Sequence, residues 1–263
     1  MKTYISSKMD YVSRTSGVEH VVIVPGAADA ERTSGRSRVI VVRGTPTPYP
    51  GVRLGLNLRR IARIIEREAP DIIEVNCQFT LAWAAFLATR VRRTPVVGVY
   101  HTDVPACARH WARGGGRLVA AAVERLVECY EGLIYRHCTL TVLLNDRMHD
   151  RIARLGVTRT TCLPCGVDAT LFRPERRDDA YRRDLGIEPH QTAIFYAGRF
   201  SPEKELGVLF DAFDQLPQRD FVLVLAGDGP AVAAVRRRAQ ADPRVKYIGH
   251  VESRADLATA YAS

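Results

Sequence analysis

Two cations carry the most pointed chemistry in this chain. Arg199 and Lys204 stand where the apolar run Ala193 to Ala197 gives way to a charged turn and then to a helical pattern, in AIFYAGRFSPEKELGVLFDAFDQLPQRDFVLVLAGDGP, residues 193–230. Arginine offers a planar fork of donors and lysine a point charge, and the helix N-terminus they flank adds unsatisfied N–H groups. That is the chemistry of a diphosphate clamp. Gly198 lets backbone approach a ligand, and Gly227, Asp228 and Gly229 form a second strand-to-helix turn. Asp228 reads equally as a helix N-cap or as a ligand contact. Surface salt bridges with Glu203, Glu205 or Asp228 are the competing account of the two cations.

A second candidate lies earlier. His101 follows the run Val96 to Tyr100, and side chains at the C-terminal ends of α/β strands point into the ligand crevice. An imidazole there can hydrogen-bond or steer a ligand hydroxyl, with Asp103 two residues on. His110, His137 and His149 carry no motif. Cys162 and Cys165 have C-x-x-C spacing, but a structural zinc needs further ligands, and the pair reads as two neighbouring thiols. No DxD pair suited to a divalent ion is found, so no metal site is expected.

The elements that must position these groups follow from periodicity. Thr3 to Arg14 has helical spacing and leads through Ser16 and Gly17 into a strand at His20 to Val24. Val- and Ile-rich runs then alternate with amphipathic helices at Leu56 to Glu68, Thr80 to Arg92, Leu118 to Arg136 and Asp146 to Leu155. This pattern predicts an α/β fold with a parallel sheet covered on both faces. Residues 109–117, basic and bearing Trp111, read as a loop. The polar stretch LFRPERRDDAYRRDLGIEPHQ marks a division, placed after residue 168. A second alternating block begins at Ala193, with helices expected at Glu203 to Leu216, Ala231 to Ala241 and Arg254 to Tyr261.

Length and composition agree with two domains. The 263 residues are 46% hydrophobic with a formal charge of +9, and the pI near 9.5 favours phosphate-bearing partners. No apolar run reaches the roughly 20 residues that cross a bilayer. The expected location is the cytoplasm, with peripheral contact at the inner membrane face. The six cysteines read as reduced thiols.

The pieces HVVIVPG, VYHTDVP, LPCGVDATLFRP, YAGRFSPEKEL and LAGDGP, in this order, resemble the retaining family 4 glycosyltransferases of GT-B fold, close to the GDP-mannose-dependent mannosyltransferases. The resemblance covers essentially the whole chain. It implies two Rossmann-like domains facing across a cleft: an acceptor-side domain at 1–168 and a nucleotide-sugar-binding domain at 169–263. It also implies a strand and Gly-Gly loop before the first helix, and an E-x7-E segment after Ser263. On that reading the chain is a fragment cut at both ends, with the first strand of one domain and the C-terminal part of the other missing.

The same resemblance makes Arg199 and Lys204 the diphosphate-binding pair, sets His101 against the donor sugar and makes Asp103 an acceptor contact. It places Gly198, Gly227, Asp228 and Gly229 at the cleft edge, and His250 and Val251 where backbone meets the nucleobase. It implies a hexosyl transfer, of mannose in the first instance, with retention and without metal, from GDP-mannose or a UDP-sugar to a lipid or glycan acceptor. No cofactor beyond the donor is implied. Trp111 with its flanking arginines suits an anionic membrane surface, and a solvated loop is the plainer alternative. A GT-B sugar-nucleotide epimerase and a catalytically incomplete fragment are the other readings. Nucleic acid is not an expected partner, since charge alone speaks for it.

Overall fold

The apolar runs become short, mostly parallel strands and the amphipathic stretches between them helices, in a computed structural model that describes residues 2–15, 17–47 and 52–263. Ser16, named above, lies outside the described residues. The chain divides into two units, Met1–Cys165 and Gly166–Ser263. The break placed after residue 168 falls inside the second unit, because Asp168 closes a turn with the backbone N–H groups of Thr170 and Leu171, and Phe172 packs edge-on against Tyr261 at 5.9 Å.

The first unit runs α1 (Lys2–Arg14), β1 (His20–Gly26), β2 (Ala30–Ser34), β3 (Ser37–Arg43), β4 (Thr45–Pro46), β5 (Arg53–Leu54), α2 (Leu58–Glu68), β6 (Ile73–Val75), α3 (Thr80–Arg92), β7 (Val96–Tyr100), α4 (Val104–Trp111), α5 (Arg117–Arg136), β8 (Leu140–Leu143), α6 (His149–Arg154) and β9 (Thr160–Cys162). Strands β6, β7, β8 and β9 pair in that order and all run parallel. A separate sheet has the order β1-β3-β2. There β1 and β3 are parallel, but β2 and β3 form an antiparallel hairpin turned at Gly35, whose φ is +58°. The expected uniformly parallel sheet is corrected to that extent: β2 is the polar stretch AERTS, exposed throughout, and shows no apolar alternation to read.

Both sheets feed one core. Val42 of β3 joins Ile61 of α2, Val75 of β6, Ala85 of α3, Tyr100 of β7 and Leu143 of β8, with Ile23 of β1 packed against them. Residues Val21 to Val24 of β1 stay only half-buried, and among the described residues the far edges of β1 and β6 carry no strand. Residues 109–117, expected as a loop, are largely helical. Asp103 caps α4, Pro105 lies in its first turn, and a single 3-10 turn at Ala112–Gly115 leads into α5.

The second unit runs α7 (Asp179–Asp184), β10 (Thr192–Ala197), α8 (Leu206–Asp214), β11 (Phe221–Ala226), α9 (Val232–Ala241), β12 (Val245–Gly249) and α10 (Arg254–Ala262). Its sheet has the order β10-β11-β12, all parallel. Phe200, Leu206, Phe213, Leu223, Leu225, Val235 and Val245 form its core between the sheet and helices α8 and α9. The expected helix from Glu203 is divided: Pro202–Lys204 makes one 3-10 turn, Glu205 takes a left-handed φ of +47°, and α8 starts at Leu206, which is buried.

Candidate functional site

In a parallel sheet the loops beyond the C-terminal strand ends form the ligand-facing edge. In the second unit three such loops are sewn together by backbone. Gly198 N–H donates to Ala226 O at 3.0 Å, Phe200 N–H to Asp228 O at 2.9 Å, Gly227 N–H to Gly249 O at 2.8 Å, and Ala231 N–H to Phe200 O at 2.9 Å. The Tyr247 hydroxyl adds a bond to Gly227 O at 3.2 Å. This edge carries Gly198, Arg199, Lys204, Gly227, Asp228, Gly229, His250 and Val251.

The glycines earn their place by contact between loops. Gly227 has φ +143°, and a Cβ there would fall 1.9 Å from Gly198 O. Gly229 has φ +150°, and its Cβ would fall 2.4 Å from Phe200 O. At Gly198 a Cβ would meet the Tyr196 hydroxyl at 3.1 Å. Asp228 does not cap α9: its Oδ1 accepts from Gly229 N–H at 2.8 Å, while the helix begins at Val232 behind Ala231. The N-cap alternative is thereby corrected, since the turn inserts Gly229, Pro230 and Ala231 before the first helical residue.

Arg199 and Lys204 are both exposed on the first loop. Between them Glu203 takes a 2.6 Å hydrogen bond from the Ser201 hydroxyl. Burial opposes the Glu203 charge, yet that bond and the charges of Arg199 and Lys204 hold its carboxyl below the usual range. The two cations thus share the loop with an ionised Glu203. His250 and Val251 line a groove of about 540 Å³ with Tyr181, Leu185, Ile248, Glu252, Ser253 and Asp256.

In the first unit, β7 delivers His101 and Asp103 to its C-terminal end. His101 Nδ1 lies 3.2 Å from Val99 O, so it carries the proton and donates, leaving Nε2 as the acceptor. Burial lowers the His101 pKa, with the Val99 carbonyl opposing, and the ring is neutral near pH 7. Both Asp103 carboxylate oxygens are engaged: Oδ1 accepts from Ala106 N–H at 3.0 Å, capping α4, and Oδ2 pairs with the Arg151 guanidinium of α6. Arg151 also bonds Glu128 of α5 at 3.3 Å.

Three residues that sequence reasoning missed sit directly behind this strand end. Tyr100 and Glu131 of α5 are buried, as is Gln78, whose Nε2 donates to Glu131 Oε1 at 3.3 Å. Gly98 makes room for the helix, since a Cβ there would meet Cys138 Sγ at 2.8 Å and the Tyr135 ring at 3.0 Å. A glutamate amid the charged residues of an amphipathic helix shows no local sign of burial. All six cysteines are free thiols. Among the described residues no group of three His, Cys, Asp or Glu side chains is placed to hold a metal ion, and no helix is long and apolar enough to cross a membrane.

Comparison with known proteins bears on both units. Residues 10–171 match the family model described as Glycosyltransferase Family 4, and residues 191–263 match Glycosyl transferases group 1. A GDP-mannose-dependent alpha-mannosyltransferase of Corynebacterium glutamicum is 25% identical over 254 residues, covering 95% of this chain and 58% of its own length. A GDP-mannose-dependent alpha-(1-6)-phosphatidylinositol dimannoside mannosyltransferase of Mycobacterium tuberculosis is 28% identical over 256 residues, covering 94% of this chain and 64% of its own. The chain therefore spans less than two thirds of these relatives. A sucrose-phosphate synthase structure from Thermosynechococcus elongatus superposes with a TM-score of 0.70 at 16% identity, over 100% of this chain and 68% of that one. At that identity the likeness shows the fold, which is GT-B.

Proposed function

The chain belongs to glycosyltransferase family 4, and on that premise we propose that it serves the transfer of a hexose, mannose in our reading, from a nucleoside diphosphate sugar to a lipid or glycan hydroxyl with retention and without metal. The observation that carries this is the placement of Arg199 and Lys204 on one loop at the ligand-facing edge of the second unit's parallel sheet. Breaking a sugar–phosphate bond loads charge onto the departing diphosphate, and cations already fixed beside it stabilise that charge without reorganisation.

The remaining groups fit subordinate roles. His250 and Val251 border the groove for the base, with recognition through backbone. Neutral His101 offers Nε2 to a sugar hydroxyl. The departing phosphate oxygen takes the acceptor proton on the same face from which the sugar leaves. GDP is the base of choice on the named relatives, which act with GDP-mannose. On the acceptor side, Trp111 is 57% exposed and Leu118 87% exposed beside Arg113 and Arg117, a composition suited to an anionic lipid surface.

The test is calorimetric titration of GDP, UDP and guanosine into this chain. Arg199→Ala and Lys204→Ala should each weaken diphosphate binding by about 10-fold or more, as loss of a charge-assisted bond implies, and leave guanosine unchanged. Equal GDP affinity in wild type and both variants would refute the assignment.

A further inference from the structure

Behind the strand end that carries His101 and Asp103 lies a carboxyl group with no part in the reading above. Glu131 is 0% exposed. Its Oε1 accepts from Gln78 Nε2, while its Oε2 and the facing Tyr100 hydroxyl are both buried without a hydrogen bond of ordinary geometry. The groups facing it come from every neighbouring element. Gln78 precedes α3, Tyr100 ends β7, Asp103 opens α4, Arg151 belongs to α6, and Tyr135 lies one turn along its own helix. Arg151 is shared, because it already pairs with Asp103 and Glu128 and lies 4.0 Å from Glu124.

An ionised carboxylate would be buried here with only the Gln78 amide and the Tyr100 hydroxyl as donors and a guanidinium committed elsewhere. A neutral carboxyl can instead place its proton between Oε2 and the Tyr100 oxygen. Burial first, then the Asp103 charge, push the Glu131 pKa up to about 7, against Tyr100, Arg151 and Gln78. Burial and the neighbouring Asp103 charge therefore both favour the neutral form of this carboxyl.

We propose that Glu131 is a positioning residue: its neutral form leaves Arg151 to Asp103 and so holds the His101–Asp103 turn, while its ionised form draws Arg151 away from Asp103. When the proton leaves to solvent, Glu131 and Asp103 repel each other and compete for the same guanidinium. Asp103 then keeps only its capping bond from Ala106 N–H, and the turn loosens. The coupling is a property of the fold; its functional meaning rests on the proposed role of His101.

The experiment follows the His101 imidazole by side-chain nitrogen NMR from roughly pH 5 to 8.5, with the signal assigned by its loss in His101→Asn. The expected result is two steps, the ring's own below its usual range and a second near neutrality that disappears in Glu131→Gln, which keeps the shape and cannot ionise. Tyr100→Phe is the second variant: it keeps the ring, removes the hydroxyl that opposes the raised Glu131 pKa, and should move the same step to higher pH. A neutral step that persists unchanged in both variants, or is missing from the wild type, would overturn the proposal. Sugar transfer by His101→Asn in the full-length protein is measured separately. Full activity there would refute the sugar-facing role of His101 and leave the titration result standing.

Discussion

Replacing Gly227 by alanine puts the sewn edge of the second unit to a quantitative test. The new Cβ would fall 1.9 Å from Gly198 O and 3.0 Å from Gly198 C, whereas a carbon–oxygen contact settles at about 3.3 Å. The two loops must part by more than about 1 Å. Three backbone bonds are at stake: Gly198 N–H to Ala226 O, Phe200 N–H to Asp228 O and Gly227 N–H to Gly249 O. At about 1 kcal/mol net for each they represent about 3 kcal/mol. Holding alanine at φ +143° adds of order 1 kcal/mol or more. The expected destabilisation of about 4 kcal/mol is a large part of an ordinary domain's stability of roughly 5–15 kcal/mol. Urea unfolding followed by circular dichroism reads it directly. Gly207→Ala is the control: it lies in α8 with nothing within 4 Å of its Cβ position, so it should stabilise by about 0.5 kcal/mol. A Gly227→Ala protein within about 0.5 kcal/mol of wild type would refute the reasoning.

Glu131 and Asp103 give two further tests. Because the folded Glu131 pKa of about 7 exceeds its ordinary 4.5, the native state holds this proton longer than the unfolded chain. Its contribution is therefore present below pH 4.5 and lost as pH rises to 7. A difference of about 2.5 at about 1.4 kcal/mol per pH unit is roughly 3.5 kcal/mol. The stability of wild type relative to Glu131→Gln should fall by about that amount between these pH values in urea titrations, and a pH-independent difference would count against it. Asp103→Ala should cost about 1–2 kcal/mol through the lost α4 cap, and Asp103→Asn should recover most of it, as thermal melts of the two variants will show.

The parts legible in the sequence were those whose cause is local. Val96–Tyr100 and Thr80–Arg92 have the bounds expected of them, because a β-branched run or a helical apolar stripe declares itself within a few residues. Helix α4 was missed, since its cap depends on Asp103 held by Arg151, 48 residues away. Hairpin strand β2 was missed because an exposed polar strand has no pattern. Glu205 divides an otherwise continuous helical stripe through a left-handed backbone that no side-chain periodicity reports. At the candidate site, residue types marked Arg199 and Lys204, but the contact between Gly227 and Gly198 is a meeting of loops 29 residues apart, and the burial of Glu131 exists only once α5 is laid on β7.

The half-buried strand β1 has a colloidal consequence. Among the described residues its free edge, like that of β6, pairs with no strand and lies beside valine and isoleucine side chains, and such an edge is the template on which strands of separate molecules adhere. What opposes adhesion is the formal charge of +9, acting over a Debye length of about 30 Å at 0.01 M salt and only about 8 Å at 0.15 M. Ionic strength thus sets how long these molecules stay apart: added salt uncovers the stickiness of the sheet edges while leaving the fold of each molecule intact.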